Sequence, residues 1–347
     1  MMKIYYFLNL SVIYSTLNME KLLKYENFEI IYAKTIPYSD SWKNQLQKSI
    51  SFSDEDLHQL NLDYGHFLAD KINGFINEFD IVNVGFIASH GHTVLHQPEN
   101  RITLQIGDGQ MIANLTNQKV VCDFRTQDVK LGGQGAPLVP IGDELLFSNC
   151  DFCLNLGGFS NISFKKDGKR IAYDICPVNI VLNFYVNKIE LEYGASGKIA
   201  SKGKINHQLL EKLNSLEFYK KEAPKSLGLE WVQKEIFPLI DSFNLDVPSI
   251  LRTFVEHIAI QIGNVIVGNN SVLITGGGVF NTFLYARIEY KAGVKIKRTK
   301  NELINFKEAL IFAFLGLLRV DNQVNCLASV TGAKKDHSSG EIFYSKA

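Results

Sequence analysis

The stretch CDFRTQDVKLGGQGAPLVP, residues 122–140, decides how the rest of the chain is read. It leaves an apolar run at 120–122 and sets out Asp123, Arg125 and Asp128 on a short polar segment. It closes with Gly132, Gly133 and Gly135 and with two prolines, Pro137 and Pro140. A guanidinium offers a planar fork of donors, and carboxylates accept from hydroxyl groups. Glycines let backbone amides come close to a ligand. The stretch reads as a site for a polar small molecule, or as a surface loop with a structural salt bridge.

The composition around it is that of a packed protein. The 347 residues suit two domains of ordinary size, and a hydrophobic content of 46% is ample for their cores. Lys+Arg and Asp+Glu are both 36, so there is no basic excess for nucleic acid to use. Five cysteines are few and odd in number for a disulfide framework, which points to a reducing compartment. Cys150 and Cys153 have redox-like spacing, but no second pair completes a zinc site, and Cys153 runs into an apolar strand. Residues 4–19 carry no charge and follow Lys3, a faint leader-like pattern. Asn9, Ser11, Tyr14 and Ser15 interrupt it, and it is too short and polar to span a bilayer. The expectation is a soluble, cytoplasmic protein with no membrane partner.

Upstream of the stretch, residues 28–36 (FEIIYAKTI) read as a strand and 41–50 as a short helix. Ser53 with Asp56 is a helix start, and apolar residues then recur at helical spacing from Leu57 to Phe79, with a possible interruption at Gly65. Residues 81–89 (IVNVGFIAS) read as a buried strand that ends in the turn His90–Gly91–His92. With His96 nearby, these histidines either orient a loop, contact a substrate or bind a metal. Their spacing matches no zinc motif. A strand at 103–107, a helix at 111–115 and a strand at 120–122 complete an α/β pattern.

Downstream, residues 152–156 form a strand followed by Gly157–Gly158. A hairpin follows, turning at Asp167–Gly168. Its second strand ends at Asp174, just before a helix at 180–189. Asp174 is placed as a catalytic base would be, or as a helix cap, a role open to Asn179 as well. After the glycine–serine loop 194–203, helices dominate at 206–216, 229–240 and 249–267. A strand at 271–275 then runs into Gly276–Gly277–Gly278 and a helix from Thr282, a turn suited to nucleotide contact. The basic run 291–300 reads as an exposed strand face. Glu308 opens a helix over 309–320, where it complements the helix dipole or faces a cleft. Residues after Thr331 read as a ragged tail.

Together, SHGHTVLHQP (89–98), LQIGDG (104–109), the stretch 122–140, LNLGGFSNIS (154–163), YDICPVN (173–179), LITGGGVFN (273–281) and KEALIFAFLG (307–316) resemble one family. It is the anhydro-N-acetylmuramic acid kinase family of the actin-like sugar kinases. The resemblance implies an α/β protein of two actin-like (RNase H-like) domains with a cleft between them. The first would span 1–140, completed by the helix near 308–320, and the second 151–305. It implies ATP and Mg²⁺ as cofactors and an amino sugar as small-molecule substrate, and allows a homodimer. The reaction would phosphorylate 1,6-anhydro-N-acetylmuramic acid at O6 while water opens the anhydro ring, giving N-acetylmuramic acid 6-phosphate in cell-wall recycling. Asp174 would be the general base. His90, Asp123, Arg125 and Glu308 would hold the sugar. Gly157, Gly158, Gly276, Gly277 and Gly278 would face the nucleotide, and no residue is assigned to a metal.

Two departures accompany the likeness. The family's opening strand and phosphate loop, of the form MSGTSLDG, have no counterpart in residues 1–24. No glycine precedes Gly65 and no aspartate precedes Asp40. In YDICPVN, Cys176 and Val178 stand where the family pattern has glycines. The alternatives are therefore a homologue that binds muramyl sugar without transferring phosphate, a chain whose start replaces the true first strand, and a metal-dependent hydrolase using His90, His92 and His96.

Overall fold

The computed structural model describes residues 9–17, 28–189, 196–266, 271–296 and 298–346. The readings of the leader-like residues and of the loop at 194–203 fall partly outside these. The chain divides into two compact units, Met1–Leu146 with Phe306–Ala347, and Phe147–Asn305.

In the first unit, β1 (Asn9–Leu17) pairs antiparallel with β2 (Phe28–Pro37). The expectation that residues 1–24 lack a first strand is thus corrected; Val12, Ile13, Tyr14 and Thr16 are residues that favour extended backbone. Helices Asp40–Lys48 and Asp54–Glu78 follow. Ser53 caps the second: its Oγ accepts the Asp56 N–H at 3.2 Å and donates to the Asp56 carboxylate at 2.7 Å. Leu57, Leu60, Tyr64, Leu68 and Phe75 turn one face inward. Each contributes about 1.5–3 kcal/mol by burial. Gly65 does not interrupt this helix. A Cβ there would lie 3.0 Å from the Asp108 backbone nitrogen, so glycine serves close approach of the 107–109 turn.

The reading of 81–89 as one buried strand is also corrected. Only β3 (Ile87–Ala88) is strand, and Val82 is exposed. Its parallel partner β6 (Val120–Cys122) has only three residues to offer. Between them lies a hairpin of β4 (His92–Gln97) and β5 (Ile102–Ile106), of which the sequence reading found the second strand alone.

The second unit is built on one mixed sheet in the order β10-β7-β8-β9. β7 (Phe152–Leu156), β8 (Phe159–Lys166) and β9 (Lys169–Pro177) form an antiparallel meander. β10 (Val272–Thr275) lies parallel to β7. The helix Val247–Gly263 runs through the core, with Leu251, Phe254, Val255, Ile258 and Ile262 buried. The segment 291–296 is not the expected strand face. Glu289 accepts the Ile296 N–H at 2.8 Å, and Tyr285 donates to the Ile296 carbonyl, so the helix Thr282–Ala292 holds it.

The chain then returns to the first unit. The helix Asn301–Val320 begins two turns earlier than expected, so Glu308 is interior to it and plays no dipole-complementing part at its start. The last residues are no ragged tail: β11 (Glu341–Phe343) pairs antiparallel with β6. Among the described residues, no helix is long and apolar enough to cross a membrane.

Candidate active site

Three separate segments of the first unit converge on the Arg125 guanidinium. Its Nε and NH2 lie 3.1 and 2.8 Å from His90 Nε2, and NH1 donates to the Gly135 carbonyl at 2.5 Å. Since Arg125 can only donate, His90 Nε2 accepts, which leaves its proton on Nδ1, 3.1 Å from the Gly91 carbonyl. Burial and the neighbouring Arg125 charge hold the His90 pKa well below 6.5, so the ring is neutral. Phe312, from the helix Asn301–Val320, backs the imidazole at 4.5 Å between ring centres.

Gly135 accepts Arg125 only because the loop before it is fixed. Its φ of +67° is a conformation that glycine adopts freely. Its N–H donates to Asp128 Oδ2 at 2.7 Å. Asp128 is fully buried in the short helix Thr126–Lys130 and faces inward, so it is not part of an exposed polar segment. Asp123 sits at φ +54°, and its Oδ1 accepts the Thr126 N–H at 3.3 Å, the first amide of that helix.

Glu308 contributes charge to the same region. It is solvent-exposed, while desolvation by surrounding protein raises its pKa against the opposing pull of Arg125 and Lys307. Lys307, one residue before it, pairs with Asp143 at 2.6 Å in a buried contact. Asp143 belongs to the helix Pro140–Leu146, which begins where the stretch 122–140 ends. The pair, missed by sequence reading, fixes the turn that carries Glu308. A Lys seven residues after a basic run gives no signal of a buried partner.

The other histidines go elsewhere. His92 is buried beside Tyr64, and burial lowers its pKa to about 4. His96 lies 3.1 Å from the Thr103 hydroxyl. Among the described residues, His90, His92 and His96 do not bring ligand atoms together, so the metal-hydrolase reading has no site there.

In the second unit, both glycine turns follow the carboxyl ends of the parallel neighbours β7 and β10. Crevices at such strand ends are where ligands bind in α/β sheets. Gly276 has φ +87°, and a Cβ there would lie 2.6 Å from Asn155 Oδ1. Gly278 would meet Leu156 at 2.7 Å. These two glycines are demanded by the chain's own close packing. Gly158 and Gly277 are exposed. Gly157 donates to the Phe159 carbonyl at 3.1 Å, and Asn179 Nδ2 donates to the Leu156 carbonyl at 3.3 Å, which ties the helix Asn179–Asn187 to the turn.

Asp174 lies in β9, three residues before its end. It is no helix cap, and neither is Asn179, because Val178 holds that position. A register shift between Ser160 and Asn161 pairs Ser160 with Cys176 and Asn161 with Asp174, leaving Ile175 as an extra residue. Such a bulge re-aims the side chains beside it. Asp174 Oδ2 accepts the Leu227 N–H at 2.7 Å, which fixes the carboxylate's direction. Cys176 and Val178 are both fully buried.

Two α/β units, a guanidinium held by a neutral imidazole, and paired glycine turns at parallel strand ends fit the expected fold of a sugar kinase. The family model for anhydro-N-acetylmuramic acid kinase matches residues 16–345, and the chain belongs to that family. The anhydro-N-acetylmuramic acid kinase of Saccharophagus degradans is 34% identical over 312 residues, covering 83% of each chain. Those of Haemophilus influenzae and Bacillus cereus are 32% and 30% identical and cover 91% of each chain.

Proposed function

We propose that this chain phosphorylates 1,6-anhydro-N-acetylmuramic acid at O6 with ATP while water opens the anhydro ring. The convergence of segments 89–98, 122–140 and 307–316 on Arg125 carries this reading, because that guanidinium matches the sugar's lactyl carboxylate. His90 and Gly135 orient Arg125, and Asp123 and Glu308 offer acceptors to sugar hydroxyls. Asp174 takes a proton from the attacking water as its oxygen bonds to the anomeric carbon. The C1–O6 bond breaks, O6 attacks the γ-phosphorus, and ADP leaves. The products are N-acetylmuramic acid 6-phosphate and ADP. Gly157–Gly158 and Gly276–Gly278 face the nucleotide, with the exposed backbone of Gly158 and Gly277 nearest the phosphates. Mg²⁺ bound with the nucleotide supplies charge neutralisation on the phosphates. The product's place is cell-wall recycling in the cytoplasm.

A second reading, a homologue that binds the sugar without transferring phosphate, is favoured by one observation. Residues 1–64 contain no glycine, so the phosphate loop of the resemblance has no counterpart there. One experiment separates the two. The chain is incubated with Mg·ATP and the anhydro sugar in ¹⁸O-labelled water, and the products are weighed by mass spectrometry. A phosphosugar carrying one heavy oxygen, absent with Asp174→Asn, supports the kinase. Sugar binding without product overturns it in favour of the binding protein.

A further inference from the structure

A second cluster, behind the Arg125 region, has no part in the reaction above. It joins Asp128 to Cys326 and His337 from the segment between the helix Asn301–Val320 and β11. All three are buried, with His337 the most accessible at 5%. Cys326 Sγ lies 3.1 Å and His337 Nε2 lies 3.6 Å from Asp128 Oδ1. The backbones of Cys326 and His337 bond to one another as an antiparallel bridge, so both side chains are held on facing strands of chain.

We propose that Asp128, Cys326 and His337 form a structural site for a thiophilic divalent cation of the Zn²⁺ class. Among the described residues, no other group of three such ligand atoms lies so close. With metal–sulfur bonds of ~2.3 Å and metal–nitrogen or –oxygen bonds of ~2.0 Å, tetrahedral ligands sit about 3.3–3.5 Å apart. The sulfur–oxygen pair, at 3.1 Å, opens by about 0.4 Å and the nitrogen–oxygen pair, at 3.6 Å, closes by about 0.3 Å to reach those spacings, small shifts of side chains.

The imidazole supplies the second argument. His337 Nδ1 lies 3.1 Å from the Lys335 carbonyl, which draws the proton to Nδ1. Nε2 then presents a lone pair in a buried position with no hydrogen-bond partner. A metal-binding histidine has this arrangement, one nitrogen donating to a backbone carbonyl and the other turned to the ion. A hydrogen-bond network alone would set that lone pair against the Asp128 oxygen. Asp128 accepts the Gly135 N–H on Oδ2 and the Thr331 hydroxyl and Cys326 thiol on Oδ1, and the thiol's bond to Oδ1 is given up when its sulfur binds the ion.

On binding, the sulfur–metal bond forms as the Cys326 proton leaves to solvent. Thr331 Oγ1, 2.7 Å from Asp128 Oδ1, or a water completes the set. The ion loads as the chain folds, since none of the three ligands is exposed. Through Asp128 and Gly135 it braces the loop that orients Arg125.

The test uses the untagged full chain, refolded with Zn²⁺ or with a chelator, and metal analysis after exhaustive dialysis. One Zn²⁺ per chain and release of one proton per ion are expected. Co²⁺ in its place is expected to give tetrahedral ligand-field bands with a sulfur charge-transfer band, which reports Cys326 directly in the parent. Cys326→Ser and His337→Gln lower affinity at least about tenfold, and Cys150→Ser, a more accessible thiol, leaves it unchanged. If a variant does not fold, the Co²⁺ spectrum of the parent decides. No retained metal, a spectrum without the sulfur band, or loss in Cys150→Ser overturns the proposal. The cluster is then a buried hydrogen-bond network around Asp128.

Discussion

Replacing Glu256 with glutamine is expected to loosen the second unit where the helix after its Gly276–Gly278 turn is anchored. Glu256 lies in the helix Val247–Gly263 and is 3% exposed. Arg287 grips it through two bonds of 2.9 and 2.8 Å, Lys291 lies at 2.9 Å and Arg252 at 3.1 Å. Arg287 and Lys291 belong to the helix that follows Gly276–Gly278, so this carboxylate clamps that helix to the core. Burial alone would raise the Glu256 pKa. The hydrogen bonds and charges of Arg287 and Lys291 outweigh it and bring the pKa from 4.5 to about 2. At about 1.4 kcal/mol for each tenfold change, the ionised form contributes about 3 kcal/mol. Truncating one partner of a buried pair costs a similar ~3–5 kcal/mol. Because the folded pKa is the lower one, the contribution is full above pH ~4.3 and disappears as pH falls through about 2. Urea unfolding of parent and Glu256→Gln, followed by a probe in the second unit, should differ by about 3 kcal/mol at pH 7, and the gap should close towards pH 2. A difference under about 1 kcal/mol at pH 7, or one that does not shrink with acid, refutes the clamp.

Four further outcomes are expected. Asp174→Asn removes phosphosugar formation by at least about a hundredfold while nucleotide binding by calorimetry is unchanged, as loss of a general base requires. Arg125→Lys raises the sugar KM about ten- to a hundredfold, because an ammonium cannot serve His90, Gly135 and a carboxylate in one plane; steady-state kinetics with varied sugar reads it. The sugar KM stays flat between pH 8 and 6.5, because His90, with its pKa held well below 6.5, remains an acceptor for Arg125 over that range; a rise near pH 6.5 in the parent would contradict the neutral imidazole. Gly133→Ala lowers thermal stability by about 1–3 kcal/mol, since its Cβ would stand 2.2 Å from Asp128 Oδ2; calorimetry checks this.

The parts of the fold legible in the sequence were those with strong local signals. Ser53, Asp108, Asn206 and Asn281 all cap helices at or near the predicted starts, because a cap is read from a few adjacent residues. The hairpin turn at Asp167–Gly168 is equally local. Elements whose state depends on distant partners were misread. Residues 81–86 are apolar enough for a strand but find no ladder among the described residues, whereas 341–343, with an unremarkable composition, pair with β6. In the candidate site, the residue types at Arg125, His90 and Glu308 were visible, and their convergence was not. The bulge that leaves Ile175 unpaired beside Asp174 and the Lys307–Asp143 pair leave no mark on spacing. Nor does the approach of Cys326 and His337 to Asp128, which spans about two hundred residues of chain.

The split of the first unit between Met1–Leu146 and Phe306–Ala347 orders events during synthesis. The strand that feeds residues 122–140 has its antiparallel neighbour in β11, near the very end of the chain. At roughly 5–20 residues per second, β6 emerges on the order of ten to forty seconds before β11 exists. During that interval the second unit, contiguous from Phe147 to Asn305, can fold on its own, while the first holds an open edge beside the loop that carries Arg125. The contiguous second unit can thus fold first, and the β6 edge beside the Arg125 loop closes only when β11 follows.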